Sequence, residues 1–410
     1  MVALIGMLRP SSNVTNMPIA RKRRAPSAPA LPVEWVRTPH ADRWIQAVCV
    51  ADGGRRIYAA SFAAPIGRGL RRRPQQRDHA VFALDQFGAI IWRDVCSHYE
   101  GVHALASSRD GNVVAAGGWY SSEPWAGFVT AWSGSGMRLL SWNEAPARIE
   151  AVALSADGNT LVAIGEALYL FRRKPGLPFA PQPVATIELP GGCGTSLALD
   201  DAGNWIATTD GEGSVHLFEH SAGVIAERRY LWTPPSGGDT RVALSNDGDW
   251  LLVGSADGGL HMFNRPTFIA TNRAVWTYPV LETAAPTGLA ITPDGSQLVA
   301  LYDRGDGGSV YLIGNRDGAP HLHWAKQTKH TPTVAAIGGG PSLDNQRIGV
   351  ADADPRGSSG NFYVFESATG LIEGAHSCSA GCWGLAIGEH GSKLVVVGGS
   401  DDGSVYAFEL

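Results

Sequence analysis

The sequence has little charge, few cysteines and no long apolar run. Charged residues make up 17% of its 410 residues and apolar residues 44%, a balance that argues against a disordered chain or a helical bundle. No apolar run approaches the ~18 residues that a membrane span needs. The formal net charge of −5 implies no general attraction to nucleic acid or to an acidic membrane.

The five cysteines are an odd number without framework spacing, which predicts a reducing, cytoplasmic setting. The basic run Arg21–Arg24 is followed by alanine, proline and serine rather than by an apolar stretch. We therefore expect no secretory signal.

Recognisable catalytic motifs are also missing. The chain has no glycine-rich phosphate loop that opens a helix, no nucleophile elbow and no His-Glu-x-x-His motif. We therefore expect no catalytic residue, no metal site and no bound cofactor. Cys96, Cys193, Cys378 and Cys382, with nearby histidines, leave a zinc site chemically possible, but semi-buried thiols are the simpler interpretation.

The sequence is rich in glycine and tryptophan and contains one recurring motif. There are 51 glycines and 13 tryptophans, and the motif reads AVALSADG at Ala151–Gly158, RVALSNDG at Arg241–Gly248 and GLAITPDG at Gly288–Gly295. Copies recur roughly every 45 to 58 residues, a period typical of propellers, solenoids and arrays of short strands. The copy near residue 340 has lost its turn glycine.

Each repeat contains four short apolar segments, which we call strands a to d, separated by turns. Glycine in the turn after strand a tolerates the positive φ of a tight hairpin. Four such strands form one antiparallel sheet, and a ring of sheets closes without long free edges. Strand c can be counted eight times, beginning at Val81, Val129, Leu168, Val215, Leu260, Val310, Phe362 and Val405.

The sequence therefore predicts an all-β fold, an eight-bladed β-propeller of four-stranded antiparallel sheets. The chain ends just after the eighth strand c, so the last blade lacks an outer strand. Trp35 has the spacing of an outer-strand tryptophan but no preceding strands a to c. We expect residues 32–37 to complete blade eight, with residues 1–31 as a disordered basic Pro/Ala-rich tail and 32–410 as the propeller.

The repeats also resemble known families. The Asp-Gly after strand a, the aromatic near the end of strand c and the acidic residues that follow it resemble WD40-type repeats over roughly residues 33–410. The acidic residues are Asp85, Glu219, Glu366 and Glu409. The Gly-His and Trp-Asp dipeptides of that family are missing, and Ala83–Trp92 is more similar to the PQQ-type propeller repeat. The resemblance implies a divergent WD40-like or PQQ-like propeller.

One face of such a propeller carries the b–c and d–a connections, and its b–c loops differ in length. The long loops of blades six, seven, one and two form a raised sector, a frequent location of function on rigid scaffolds. Our candidate binding residues in these loops are Arg68, Arg71, Arg72, Arg73, Arg77, Trp119, Tyr120, Trp125, Arg304 and Arg356. The arginines suit carboxylate or phosphate groups, and the aromatics suit a protein partner. The alternatives are a merely solvating loop and aromatics that pack back on the blade.

A second candidate group lies around the axial opening, at or just before strand a. It comprises Gln46, His103, Glu150, Arg241 and, less surely, Trp383. These side chains could bind a small anion or transfer a proton, whereas the alternative is a channel lined with polar groups for structural reasons.

These patterns favour a non-enzymatic scaffold that binds another protein through the b–c/d–a loop face. The blade-one arginines could meet an acidic or phosphate-bearing surface. Nucleic acid is disfavoured as a partner because no regular aromatics interleave with the arginines. The alternative is a PQQ-like quinoprotein or another small-ligand-binding enzyme that uses the axial channel, although the adjacent cysteine pair that the PQQ resemblance implies is missing.

Overall fold

The computed structural model describes residues 28–39, 43–62, 79–97, 101–120, 126–192, 194–221, 224–279, 282–316, 318–340, 342–390 and 393–410. Within these ranges almost all regular structure is β-strand, and the strands pair in antiparallel sheets. The prediction of an all-β propeller is confirmed.

The strands of the first four blades follow chain order. They are β2 (Trp44–Ala51), β3 (Arg56–Phe62), β4 (His79–Asp85) and β5 (Ile90–Ser97) in blade one; β6 (Gly101–Ser107), β7 (Val113–Tyr120), β8 (Ala126–Ser133) and β9 (Arg138–Ala145) in blade two; β10 (Ala151–Leu154), β11 (Thr160–Ile164), β12 (Ala167–Arg172) and β13 (Ala185–Glu188) in blade three; β14 (Leu197–Leu199), β15 (Trp205–Thr209), β16 (Val215–Ser221) and β17 (Val224–Trp232) in blade four.

The later blades continue the order, and the last takes its outer strand from the start of the chain. They are β18 (Arg241–Leu244), β19 (Trp250–Gly254), β20 (Gly259–Asn264) and β21 (Trp276–Pro279) in blade five; β22 (Gly288–Ile291), β23 (Gln297–Asp303), β24 (Gly308–Arg316) and β25 (Ala319–Thr328) in blade six; β26 (Thr331–Gly339), β27 (Gln346–Ala353), β28 (Gly360–Glu366) and β29 (Ile372–Cys378) in blade seven; β30 (Cys382–His390), β31 (Lys393–Ser400), β32 (Val405–Glu409) and β1 (Val33–Arg37) in blade eight. Helix α1 (Arg265–Thr271) and two 3-10 turns (Asp52–Gly54 and Leu343–Asn345) complete the elements of the described chain.

The described strands pair as six four-stranded sheets and one eight-stranded sheet. The larger sheet consists of blades one and two, which a single pair, Phe62 with Gly101, joins. The innermost strands contact one another in a closed cycle that runs β2, β6, β10, β14, β18, β22, β26, β30 and back to β2. The ring is therefore closed rather than an open stack.

Strand β1 closes blade eight. It pairs antiparallel with β32, with Val33 opposite Phe408 and Arg37 opposite Val405. The Trp35 indole reaches blade one, where Nε1 donates a hydrogen bond to the Gln86 carbonyl at 2.8 Å. Outer-strand tryptophans elsewhere also pack on strand c of the next blade; Trp142, for example, lies 4.7 Å from Tyr169 between ring centroids.

The chain segment before β1 extends these contacts. The Leu31 amide donates to the Ala375 carbonyl at 2.9 Å, and the Ala375 amide donates to the Pro29 carbonyl at 2.9 Å. The Leu31 side chain is only 3% exposed and covers Gly374, where a Cβ atom would lie 2.7 Å from it. The contacts of the propeller thus begin before residue 32, because an apolar side chain at 31 fits between blades seven and eight; residues 1–27 of the predicted tail lie outside the described residues.

The recurring motif encodes a hydrogen-bonded turn between strands a and b. In blade three the Ser155 hydroxyl donates to Asp157 Oδ1 at 2.6 Å, and the same oxygen accepts from the Asn159 amide at 2.9 Å. The Thr160 amide donates back to Ser155 Oγ at 3.0 Å. Gly158 has φ +67°, a conformation that glycine adopts without strain.

Backbone hydrogen bonds link these turns from blade to blade. The Asp52 amide donates to the Arg109 carbonyl, Arg109 to Ala156, and Ala156 to Asp201, at 2.9, 3.1 and 2.9 Å. The series continues to Asn246 and Pro293. Because each bond joins neighbouring blades, the series ties the a–b turns of blades one to six together.

Candidate functional site

The candidate site is the opposite face, where the b–c and d–a connections lie. Part of the predicted set falls outside the described residues, namely Arg68, Arg71, Arg72, Arg73, Arg77 and Trp125. Tyr120 is the last residue of β7. Trp119, Arg304, Arg356, Gln46, His103, Glu150 and Arg241 have described positions, and they form several separate groups.

Trp119 takes part in a polar cluster between blades two and three. The Arg148 guanidinium lies over its ring at 4.4 Å from the centroid. The same guanidinium donates two hydrogen bonds to Glu150, from Nε at 2.5 Å and from Nη2 at 2.6 Å. Trp119 thus packs back on the fold, which is the alternative that the sequence left open, and Arg148 is a member of the cluster that sequence reasoning missed.

His103 completes this cluster. Its Nε2 lies 3.5 Å from Glu150 Oε2, and its ring lies 5.9 Å from that of Phe62. Burial lowers the pKa of His103, as does the Arg148 charge, and the Glu150 charge only partly opposes them. The imidazole is therefore neutral at neutral pH. Arg148 already neutralises Glu150, which favours a structural role for the cluster, while His103 Nδ1 is enclosed without a hydrogen-bond partner among the described residues.

Arg241 contacts a different part of the chain from His103 and Glu150. Its Nη1 donates to the Thr195 hydroxyl at 2.8 Å, so it bridges the first strand of blade five and the connection that leads into blade four. The predicted convergence of His103, Glu150 and Arg241 on the axis stays a prediction.

Gln46 lies near Trp383 where blades eight and one meet. The Trp383 Nε1 donates to Asp401 Oδ2 at 2.7 Å, and the tryptophan is 38% exposed. Burial raises the pKa of Asp401 to about 7, against the hydrogen bonds from Trp383 and Gln46, and the Asp402 charge raises it further. Sequence reasoning missed Asp401, because only the tertiary fold encloses this carboxylate.

The b–c loops of blades six and seven present their arginines outward on tight turns. In blade six the Arg304 amide donates to the Gly307 carbonyl at 3.0 Å, and the Arg304 side chain is 38% exposed. In blade seven the Arg356 amide donates to Asp354 Oδ1 at 2.9 Å, and Arg356 is exposed. Arg304 also lies 4.0 Å from Asp306 Oδ1, in an exposed ion pair on the same turn, and both arginines project from fixed backbone positions.

The cysteines and histidines do not gather into a metal centre within the described ranges. No group of three or more His, Cys, Asp or Glu stands close enough there to hold a metal ion. Cys96, Cys378 and Cys382 are buried free thiols, and Cys193 lies outside the described residues. Burial raises the pKa of Cys96 to about 12, so this thiol is protonated and unreactive at neutral pH.

A polar groove on the other face was not anticipated from the sequence. It has a volume of about 470 Å³. Its lining includes Arg56, Asp110, Asp157 and Arg173. The Arg173 Nε donates to the Gly158 carbonyl at 2.9 Å, and the hydrogen bonds of the Asp-Gly turns occupy Asp110 and Asp157. The charged groups of this groove therefore form hydrogen bonds with the turns that line it.

No helix in the described part of the chain is long and apolar enough to cross a membrane.

The fold and its repeat define a class. Residues 240–264, which include β18 to β20, match the family model "WD domain, G-beta repeat". The chain is a divergent WD40-like β-propeller. The predicted resemblance to WD40-type repeats is confirmed, whereas the PQQ-like resemblance stays a prediction. No curated protein matches the sequence.

Solved structures match over most of the chain. Chaetomium thermophilum Sqt1 bound to the N-terminus of the ribosomal protein L10 is 16% identical, covers 92% of this chain and 98% of its own, and has a TM-score of 0.68. A second structure of Chaetomium thermophilum Sqt1 is 15% identical, with the same coverage and TM-score. The β-propeller domain of Myceliophteria thermophila Cps50 (Swd1) is 14% identical, covers 75% of this chain and 96% of its own, and has a TM-score of 0.55. At these identities the likeness concerns the fold.

Proposed function

We propose that this protein is a non-enzymatic scaffold that binds another protein through its b–c/d–a loop face. The observation that carries the proposal is the contrast between a rigid ring and the exposed side chains on its loops. Arg304, Arg356 and Trp383 project from tight turns or strand ends on this one face. Arginine and tryptophan are the residue types that contribute most to protein–protein contacts.

A structural likeness supports a protein partner. The Sqt1 structure that this chain resembles contains a bound N-terminal segment of a ribosomal protein. A propeller of this shape can therefore hold a peptide, although fold alone does not carry function from one protein to another. The blade-one arginines, for which we predict an acidic or phosphate-bearing partner surface, lie outside the described residues.

The enzyme alternative has less support. A quinoprotein or other small-ligand enzyme would use the axial channel, yet Arg148 neutralises Glu150 and His103 is held neutral beside it. The Arg148–Glu150 ion pair gives this group a structural role, which supports the scaffold rather than the enzyme. The cytoplasmic setting stays a prediction from cysteine usage.

Charge reversal on the loop face tests the scaffold proposal. The variant Arg304→Glu/Arg356→Glu should reduce recovery of partner proteins in proximity labelling by about tenfold, since each lost arginine contact costs on the order of 1 kcal/mol or more. The control Lys174→Glu/Arg273→Glu makes the same change of charge at exposed residues of the c–d connections, on the other face. Equal recovery from both variants, or no loss from the first, would contradict the loop face as the binding surface.

A further inference from the structure

Trp383 and Asp401 form an unusual pair on the loop face. The indole Nε1 donates to Asp401 Oδ2 at 2.7 Å, which holds the ring edge to the carboxylate while 38% of the residue stays exposed. The absence of a side chain at Gly381 permits this approach, because a Cβ there would lie 2.8 Å from Trp383 Nε1 and 2.9 Å from Asp401 Oδ2. We call this pair the Trp383–Asp401 site.

The turn that contains Asp401 does not need this carboxylate. The matching turn in blade five is Ser255–Gly259, and Ala256 stands where blade eight has Asp401. In both turns the next aspartate makes the hydrogen bond that closes the turn. Asp257 Oδ1 accepts a hydrogen bond from the Gly259 amide at 3.0 Å, and Asp402 Oδ1 accepts one from the Ser404 amide at 2.9 Å. Asp401 is therefore an added negative charge without a role in the turn.

This charge has no cationic partner among the residues that the structure describes. Asp401 Oδ1 is enclosed and accepts no hydrogen bond of good geometry from the described chain, and no ion pair there includes Asp401. The charged group that acts on it is Asp402, which is also negative. A partly buried carboxylate in this state is costly unless a cation joins it.

We propose that the Trp383–Asp401 site binds an arginine side chain of the partner protein, so this inference rests on the proposed scaffold function. The guanidinium would donate to the Asp401 carboxylate and lie against the exposed face of the Trp383 indole. Arginine suits this pair better than lysine, because its planar group stacks on an aromatic ring while its N–H groups bind a carboxylate.

The neighbouring Gln46 occupies part of this site. Its side chain reaches the Asp401 carboxylate and carries no charge. An incoming guanidinium takes its place, because a charged donor makes a stronger hydrogen bond to a carboxylate than an amide does. Gln46, a residue singled out from the sequence, is thus the neighbour that an incoming arginine would displace.

The test uses a single amino acid, so it needs no knowledge of the partner. N-acetyl-L-arginine amide is titrated into the full-length protein while the indole N–H resonance of Trp383 is followed by NMR, with Trp383→Phe to assign it. We expect a saturable shift with a dissociation constant on the order of 1 mM. The neutral isostere N-acetyl-L-citrulline amide should bind at least about tenfold more weakly, because it lacks the charge.

Asp401→Asn supplies the matched variant. Its amide oxygen still accepts the Trp383 hydrogen bond, and retained far-UV and near-UV circular dichroism would show that the fold is kept. We expect arginine binding to weaken by at least about tenfold in this variant. Equal binding of arginine and citrulline, no saturable shift of Trp383, or unchanged binding by Asp401→Asn would each overturn the site. None of these results depends on Arg304 or Arg356, so a failure of the scaffold proposal is seen separately in the charge-reversal experiment.

Discussion

At the residue scale, packing shifts the pKa values of two aspartates in opposite directions. Asp157 and Asp401 both follow strands of the repeat, in the a–b turn and the b–c turn respectively. Burial alone would raise the pKa of Asp157, but hydrogen bonds from Ser155 and Asn159 lower it overall. Burial of Asp401, with Asp402 beside it, instead raises its pKa to about 7. The charge of the first stabilises the fold, whereas that of the second opposes it.

The raised pKa of Asp401 predicts that Asp401→Asn increases the free energy of unfolding by an amount that depends on pH. The folded pKa of about 7 lies above the unfolded value of about 3.9, so the folded state binds the extra proton between these values. Stability that depends on this carboxyl is therefore present at about pH 4 and is lost as the pH rises through 7. The neutral amide avoids that loss, and we expect about 2 kcal/mol of stabilisation at about pH 8, allowing for partial exposure.

Thermal unfolding of both proteins at about pH 5 and about pH 8 measures the difference. The midpoint of Asp401→Asn should exceed that of the unsubstituted protein at the higher pH and approach it at the lower pH. A gain that is the same at both values would show that the carboxyl does not titrate in this range.

At the element scale, strand β1 ties the two ends of the chain together. Trp35 is the main anchor, since its ring lies against Gly88, where a Cβ would approach within 2.6 Å, and its Nε1 binds the Gln86 carbonyl. The side chain therefore joins blade eight to blade one, and the backbone of the same strand completes the sheet of blade eight.

Substitution of this anchor should loosen the strand. We expect Trp35→Ala to reduce the free energy of unfolding by about 2 to 4 kcal/mol, since a large aromatic contact and a hydrogen bond are lost together. Val36→Ala on the same strand is the control, because Val36 is 48% exposed. Thermal unfolding and the rate of proteolysis near residue 33 report the effect, and equal losses for the two variants would argue against Trp35 as the anchor.

Some contacts between elements could be predicted from the sequence and others could not. Trp35 could be placed in an outer strand because outer-strand tryptophans precede the turn glycines at a nearly constant distance along the chain. Arg148 could not be assigned to Trp119 and Glu150, because its position in a connection carries no periodic signal. The grouping of Gln46 with Asp401 joins residues far apart in sequence, which only the closed ring brings together.

At the scale of the whole molecule, a few N-terminal residues reinforce ring closure at its outer edge. Pro29 and Leu31 bind β29 of blade seven, and β1 pairs with β32 of blade eight. Without them β32 would be an open edge strand, and such edges promote aggregation.

Two truncations separate these contacts from the rest of the N-terminal segment. Deletion of residues 1–37 should lower the thermal midpoint by several degrees and produce higher-order species in size-exclusion chromatography with light scattering. Deletion of residues 1–27 leaves every described contact of Pro29, Leu31 and β1 in place and should keep the midpoint and the mass. A 1–37 deletion that stays as stable and as monodisperse as the shorter one would show that the ring does not depend on this closure.

The repeat by itself determined the class of fold, the strand order and the N-terminal closure. These follow from local patterns that can be read directly along the chain, namely the alternation of apolar residues, the Ser-x-Asp-Gly turn and the spacing of tryptophans. The tertiary structure alone decided the candidate site. Arg148 neutralises Glu150, and Asp401 is enclosed beside Trp383. Both facts depend on desolvation and on contacts between different segments of the chain, and neither can be read from the linear sequence.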